Sequence, residues 1–371
     1  MRGHGVSVLA VAVMALTGCS ASSPTPEELA VDVLPAVEKY LAEIDAEGQV
    51  RAVLVLHDGE PVVEHYVESA AEDYWDTRSV TKSVVSTLIG IAIDEGHLEG
   101  VHQTLGELLP SRAAEMDAET AAVTLEQVLT HTGGFAAQGA GGDYYLTDDW
   151  VGQILADRNE AGSADGTAEY SNAGAHLVSA VLVEATGVPV LEYAREKLFE
   201  PLGIPTEPAF EPAPDFTDEA AAAALYEEYW EAGFAWPMDP QGLHEGACCL
   251  KLRTQDLAAI GQLYLDKGEW GDEQVVPEEW VEQATTSHVD INGAGSVGYG
   301  YLWWVTDVAD DPGFMAYGMG GQVIHVIPAL DLVVAVSTEF DERDPGRMST
   351  TFGQESATGL AQIAIAPHLA E

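Results

Sequence analysis

Ser79 and Lys82 stand three residues apart at the head of a strongly apolar run, Val80 to Glu95, closed by Gly96. The periodicity and the closing glycine predict a helix there. Residues three apart on a helix share a face, so the hydroxyl and the amine meet. Ser79 falls at the helix start, where free N–H groups and the helix dipole favour developing negative charge. Val84, Val85, Leu88, Ile89 and Ile91 mark the helix as buried. Burial disfavours the charged ammonium and lowers its pKa. A neutral amine beside a serine takes the hydroxyl proton and leaves a nucleophile. Of the five lysines, Lys39, Lys82, Lys197, Lys251 and Lys267, only Lys82 has a serine three positions before it. The plainer reading is a snorkelling lysine beside a capping serine.

Two further constellations offer partners. Tyr170-Ser171-Asn172 sets a phenol and a carboxamide two positions apart, so an extended segment points both into one cleft. The phenol relays a proton and the amide binds a carbonyl, although a loop Tyr and Asn also simply cap and pack. Tyr317-Gly318-Met319-Gly320-Gly321-Gln322 leads into VIHVIP. Glycines before a strand let backbone approach a ligand, and an edge N–H there serves an oxyanion; the alternative is a glycine-rich hairpin turn.

The elements that must position these groups are legible in outline. Leu29, Val33, Val37, Leu41 and Ile44 give Pro26 to Glu47 a helical period. Arg51 to Val67 reads as two alternating strands about the turn Asp58-Gly59. From Leu98 to Trp230 the chain is rich in Ala and Glu with helical periods broken by Gly and Pro, and Gln255 to Leu265 is another helix. Tyr299 to Val305, Gln322 to Ile327 and Leu332 to Ser337 read as strands, with a turn at Pro328 to Asp331, and Glu355 to Leu369 is a closing helix. The economical fold is α+β: one antiparallel sheet joins the N-terminal hairpin to the C-terminal strands, flanked by the terminal helices, and the helical middle forms a second lobe. The expected lobes are residues 28–97 with 245–369, and 98–244, and the site lies in the cleft between them. Tyr144, Tyr145 and Trp150 are expected to line it; Trp303 and Trp304, adjacent on a strand, face opposite ways, which leaves Trp304 for the cleft.

Taken together and in this order, the three constellations resemble the serine β-lactamase, penicillin-binding protein and esterase superfamily. The likeness is nearest to the hydrolases that include 6-aminohexanoate-dimer hydrolase and several esterases. It runs from about Arg51 to Ile365 and takes in SVTKSVVSTLIGIAIDEG from Ser79, LTHTGGF from Leu129, EYSN from Glu169, DLAAIGQLYL from Asp256 and GYGYLWW from Gly298. The resemblance implies a β-lactamase/transpeptidase-like fold and no cofactor or metal. Ser79 would be acylated, Lys82 would be its base, Tyr170 would share proton transfer to the leaving group, and Asn172 would orient substrate. The oxyanion would lie between the Ser79 N–H and one from the Gly318 region, with Tyr317, Met319 and Gln322 nearby. One departure matters: the relatives' third motif is Lys-Thr-Gly or His-x-Gly, and here Met315-Ala316-Tyr317 stands in its place. His131-Thr132-Gly133 precedes Tyr170 and is read as structural. Loss of the cation removes the usual partner of a substrate carboxylate. The expectation is therefore a small ester or uncharged amide substrate; a β-lactamase or D-alanyl-D-alanine carboxypeptidase is the alternative. A non-catalytic sensor lipoprotein on the same fold is the reading from another class.

Composition bounds the rest. The chain has 371 residues, 47% of them hydrophobic, enough for a sizeable core. Sixty-two acidic residues against 14 basic ones give a formal charge of −48, which repels nucleic acid and anionic lipid; it fits solubility in salt or a cationic partner or substrate. Arg2 and the apolar run Val6 to Leu16 read as a secretory signal over residues 1–18, too short to span a bilayer. Leu16-Thr17-Gly18-Cys19 resembles the bacterial lipoprotein cleavage box, which implies lipid on Cys19, a tether over 19–27, and membrane contact only through that anchor; the alternative is plain cleavage and secretion. Cys248 and Cys249 are read as two small buried residues filling a core position, with a vicinal disulfide as the alternative.

Overall fold

The computed structural model describes residues 24–46, 49–135, 143–158, 168–213, 219–291, 298–308, 311–340 and 352–369. Cys19 and the expected signal lie outside these residues.

Helix α1, Pro26–Glu43, starts on a capping box in which Thr25 and Glu28 satisfy each other's backbone N–H. Strands β1 (Val50–His57) and β2 (Glu60–Tyr66) form the expected hairpin, turned by Asp58 and Gly59 at φ of 51° and 75°. Helix α2, Val80–Asp94, follows Ser79 and ends at Gly96, φ 76°. Helix α3 is Asn172–Thr186, α4 is Glu219–Glu231 and α5 is Thr254–Leu265. Five more strands complete the sheet: β3 (Gly298–Tyr299), β4 (Trp304–Val308), β5 (Asp311–Gly318), β6 (Gln322–Ile327) and β7 (Leu332–Thr338).

The sheet order is β2-β1-β7-β6-β5-β4-β3, and its pairs are antiparallel. The hairpin therefore joins the C-terminal strands as expected, with Val53 opposite Val336 and Ile324 opposite Ala335. Strands β6 and β7 are buried along their whole length. Both faces must then be covered, and α1 with the C-terminal helical segment (residues 354–369) packs on one, α5 on the other. Gly261 lets α5 approach closely, since a Cβ there would sit 2.5 Å from Val333 Cγ1.

The expected strand Tyr299 to Val305 is interrupted, with residues 300–303 forming a turn and Leu302 at φ 61°. The cause lies in α2. That helix is buried on all sides yet carries hydroxyls: Ser83 donates to the Leu302 carbonyl at 2.8 Å and Ser86 to that of Tyr301 at 2.6 Å. Turning those carbonyls toward α2 satisfies buried donors that a continuous strand would leave orphaned. Strand β5, which carries the third constellation, had no clear alternation in sequence and is found only in the structure.

Candidate active site

Three segments converge on Ser79. The first is residues 74–82. Tyr74–Asp76 pairs antiparallel with Lys251–Arg253, and Thr77 uses its N–H and its hydroxyl on the Leu250 carbonyl, at 2.9 and 2.7 Å. Arg78, just before the serine, is buried at a positive φ of 51°, a costly backbone for a residue with a Cβ. It is held by its N–H on Asp76 Oδ1 at 2.9 Å and by Thr81, whose hydroxyl donates to its carbonyl at 2.7 Å. Strand β5 closes in from the other side: a Cβ on Gly318 would lie 2.3 Å from the Thr77 carbonyl oxygen. Only glycine admits this approach, which sets the 318–319 backbone against the serine turn.

Lys82 is 1% exposed, and its Nζ lies 3.1 Å from Ser79 Oγ, 2.8 Å from Asn172 Oδ1 and 2.5 Å from the Ala247 carbonyl. Burial drags the amine down to about 7, against a smaller upward pull from the Glu245 carboxylate. A neutral amine has two N–H groups and one lone pair. Asn172 and Ala247 accept the two N–H bonds, so the lone pair is left for the Ser79 hydroxyl proton. The sequence relation of Ser79, Lys82 and Asn172 is thus realised as one hydrogen-bonded cluster.

The second segment is 168–172. Ser171 caps α3 through Gly174 N–H at 2.9 Å, which puts Asn172 at the first helical position and Tyr170 just outside. His131 pins this segment: its carbonyl accepts from Glu169 N–H at 2.9 Å and its Nδ1 from Ser171 N–H at 3.3 Å. Its Nε2 lies 3.1 Å from the Tyr299 hydroxyl, and its ring packs on Tyr170 with centroids 4.7 Å apart. Burial, and to a smaller extent the nearby Lys82, push His131 down to about 3, so it stays neutral at working pH. Tyr170 lies over Lys82, Nζ 4.9 Å from the ring centre. Burial raises its phenol above the ordinary value, a hydrogen bond with Ser79 pulls the other way, and nearby Tyr317 raises it further.

The third segment, 244–250, carries what the sequence did not reveal. It delivers the Ala247 carbonyl, the buried Glu245 and the Cys248–Cys249 pair. These two cysteines are disulfide-bonded and only half-buried, with Cys249 at φ 74°, which corrects the reading of two core-filling thiols. Their bond lines the cleft and its carbonyl neighbour is held by the Tyr229 hydroxyl at 2.9 Å. No spacing in the sequence ties Ala247 to a lysine 165 residues earlier.

A cleft of about 560 Å³ opens at Ser79 and Asn172. Tyr145, Trp150 and Met319 line it as expected, and α4 adds Leu225, Tyr226 and Tyr229. Three expected cleft residues stand elsewhere. Tyr144 is buried behind Tyr145, ring centroids 4.0 Å apart, because the short helix Asp143–Leu146 turns only one of the two outward. Trp304 stacks on Tyr170 at 5.7 Å and 12°, supporting that ring rather than a ligand, while Trp303 packs on Tyr264. Gln322 is spent on Thr338, donating to its carbonyl at 3.0 Å and accepting from its N–H at 3.2 Å. Tyr317 and Gly318 approach the site without lining the cleft. Among the described residues no group of three or more His, Cys, Asp or Glu is placed to hold a metal ion.

The family model described as Beta-lactamase matches residues 37–356, most of the chain. This chain belongs to the beta-lactamase family. Penicillin-binding protein 4 of Amycolatopsis lactamdurans is 25% identical over 315 residues, 80% of this chain and 77% of that protein. Among solved structures, a Bacillus anthracis protein assigned as a 6-aminohexanoate-dimer hydrolase superposes with TM-score 0.64 at 16% identity, over 89% of this chain and 81% of the other. A class C β-lactamase from Rhodobacter sphaeroides gives 0.64 at 17% identity, over 91% and 99%. These two likenesses establish the β-lactamase/transpeptidase-like fold. Family membership makes the chain a serine hydrolase, with the residues just described at the place where the fold's cleft opens.

Proposed function

We propose that the chain cleaves an ester or amide bond through an acyl-enzyme on Ser79. The observation that carries this is the buried Lys82 amine, held near 7 and 3.1 Å from Ser79 Oγ with its two N–H groups already engaged. Lys82 takes the hydroxyl proton as Ser79 attacks, and when the bond to the leaving group breaks that proton passes by way of the Tyr170 hydroxyl to the leaving group, so that Lys82 and Tyr170 end as they began. Asn172 serves twice, fixing Lys82 and presenting its amide to the substrate carbonyl. The Ser79 N–H at the head of α2 and a backbone N–H of the 318–319 turn receive the oxyanion, and water then attacks the acyl group. Met315, Ala316 and Tyr317 supply no cation for a substrate carboxylate, which favours esters and uncharged amides.

The test is intact-mass spectrometry after exposure to a fluorophosphonate, and separately to a penicillin, beside Ser79→Ala. A Ser79 adduct with the first and no lasting adduct with the second supports this reading. Stable adducts with both would move the chain to the β-lactamase or D-alanyl-D-alanine carboxypeptidase reading, which the likeness to a penicillin-binding protein favours. No adduct with either leaves a non-catalytic sensor. We also propose export and lipid attachment at Cys19, supported by Leu16-Thr17-Gly18-Cys19 after an apolar run. A lipid mass on the mature N-terminus that persists in Cys19→Ala would refute the attachment site.

A further inference from the structure

The segment 244–250 reaches the site with both ends anchored and its middle closed into a ring. At one end Trp236 Nε1–H donates to the Glu245 carbonyl at 2.9 Å and Gly246 N–H to His176 Nδ1 at 3.4 Å. Gly246 packs so closely on α3 that a Cβ there would sit 2.7 Å from the Ala175 carbonyl oxygen. At the other end Leu250 N–H donates to Thr81 Oγ1 at 3.2 Å, and Lys251 N–H to the Ala235 carbonyl at 2.8 Å. Between these anchors stands the Ala247 carbonyl, which accepts from Lys82 Nζ at 2.5 Å. Next to it come Cys248 and Cys249, joined through their sulfurs on the cleft wall. Among the described residues the Cys248 N–H, the Cys248 carbonyl and the Cys249 N–H make no hydrogen bond.

The disulfide supplies the restraint that those hydrogen bonds do not. A ring closed between adjacent cysteines contains the ψ bond of Cys248 and the φ bond of Cys249, the only soft backbone torsions in it. Cys249 sits at φ 74°, a conformation that a residue with a Cβ keeps only when its surroundings impose it. We propose that the Cys248–Cys249 disulfide is a positioning element for the proton transfer: it holds the Ala247 carbonyl on Lys82, and a dithiol that reduces it slows the reaction at Ser79 reversibly. The proposal rests on the reading of Lys82 as the base of Ser79. With the Ala247 carbonyl displaced, one Lys82 N–H loses its acceptor and competes with the lone pair for the place facing Ser79. Both cysteines are half-buried and line the cleft, so a small dithiol reaches them. Its thiolate attacks one sulfur, the S–S bond breaks and a mixed disulfide forms. The second thiol of the reagent then closes its own disulfide and releases the protein. Two electrons and two protons pass to the chain, which ends with two thiols, and the reagent leaves oxidised.

The experiment measures fluorophosphonate labelling of Ser79 at pH 9 by intact mass, on oxidised protein, after dithiothreitol, and after reoxidation. The only other cysteine is Cys19, so no second intrachain disulfide competes. The reduced protein should label about tenfold or more slowly, and reoxidation should restore the rate. Cys248→Ala with Cys249→Ala should be as slow and indifferent to dithiothreitol. Cys248→Ala with Cys249→Gly should recover at least about threefold over that double alanine variant, because glycine keeps a positive φ without a ring. Wild-type rates in the reduced protein or in the double alanine variant overturn the proposal, and so does a glycine variant no faster than the alanine one. If dithiothreitol adds no hydrogens to the mass, the two variants decide.

A readout on Lys82 itself separates this from the acyl-enzyme reading. In protein carrying 13C-lysine, the Lys82 ε-carbon resonance is identified by its loss in Lys82→Met. It should move on reduction and return on reoxidation, while those of Lys39, Lys197 and Lys267 stay in place. If Ser79 takes no label in the oxidised protein yet the Lys82 resonance moves in this way, the positioning role stands and the acyl-enzyme reading falls. If labelling is normal and the Lys82 resonance is the same in both redox states, the positioning role falls and the acyl-enzyme reading stands.

Discussion

Lys82→Arg keeps a long cationic side chain and removes the one property on which the proton transfer depends. The Lys82 amine sits at about 7 instead of its ordinary 10.5 because burial disfavours its charge. That drop corresponds to about 5 kcal/mol of preference for the neutral form. At pH 8 about nine-tenths of the Lys82 amine is neutral, against about 0.3% for an ordinary lysine, a gain of about three hundredfold in competent base. A guanidinium stays charged throughout, so Lys82→Arg should lose at least about that factor. The assay is the second-order rate of fluorophosphonate labelling at Ser79, followed by intact mass from pH 5 to 10, which needs no knowledge of the natural substrate. The wild-type rate should rise tenfold per pH unit below about 7 and level off above it. Glu245 raises the Lys82 value, so Glu245→Gln should move this limb to lower pH. A wild-type rate that is flat down to pH 5, or that rises only near pH 10, would refute the argument that burial of Lys82 activates Ser79.

The same depression makes Lys82 a stability cost at low pH. Its folded value is below its unfolded one, so the penalty is complete below about 7 and vanishes above about 10.5. The change in unfolding free energy on Lys82→Met should accordingly be about 2–3 kcal/mol more favourable at pH 6 than at pH 9, read from denaturant melts at the two pH values. Gly318→Ala places a methyl against the Thr77 carbonyl and should cost about 1–3 kcal/mol together with most of the Ser79 labelling rate; unchanged labelling would show that β5 does not abut the serine turn. Lys251 is 2% exposed and donates to the Tyr229, Trp230 and Ala232 carbonyls at the end of α4, so Lys251→Met should free that helix and raise its amide exchange selectively. Reduction should add two hydrogens to the intact mass, and that gain should disappear in Cys248→Ala.

Much of the catalytic core was written locally. Ser79 and Lys82 meet because a helix brings every third residue to one face, and the apolar run around them guarantees burial whatever the rest of the fold does. The hairpin at Asp58-Gly59 and the pairing of its strands with the C-terminal ones followed from turn chemistry and alternation. Tyr170 and Asn172 were recognisable because a segment that delivers two side chains to one place must keep them at fixed short spacing.

Other features depended on contacts between distant segments. The strand from Tyr299 breaks because α2 needs the Tyr301 and Leu302 carbonyls, a demand that arises 215 residues away for Ser86. Trp304 and Gln322 look like ligand contacts in the sequence and are spent on Tyr170 and Thr338, since an aromatic or amide side chain serves whichever neighbour packs against it. Glu245, the Ala247 carbonyl and the Cys248–Cys249 bond join the site only because the segment 244–250 runs beside the serine turn. Residue types and short spacings determined which groups could react. Burial and long-range packing decided the state of each, and so set the Lys82 proton and the charge the cleft presents.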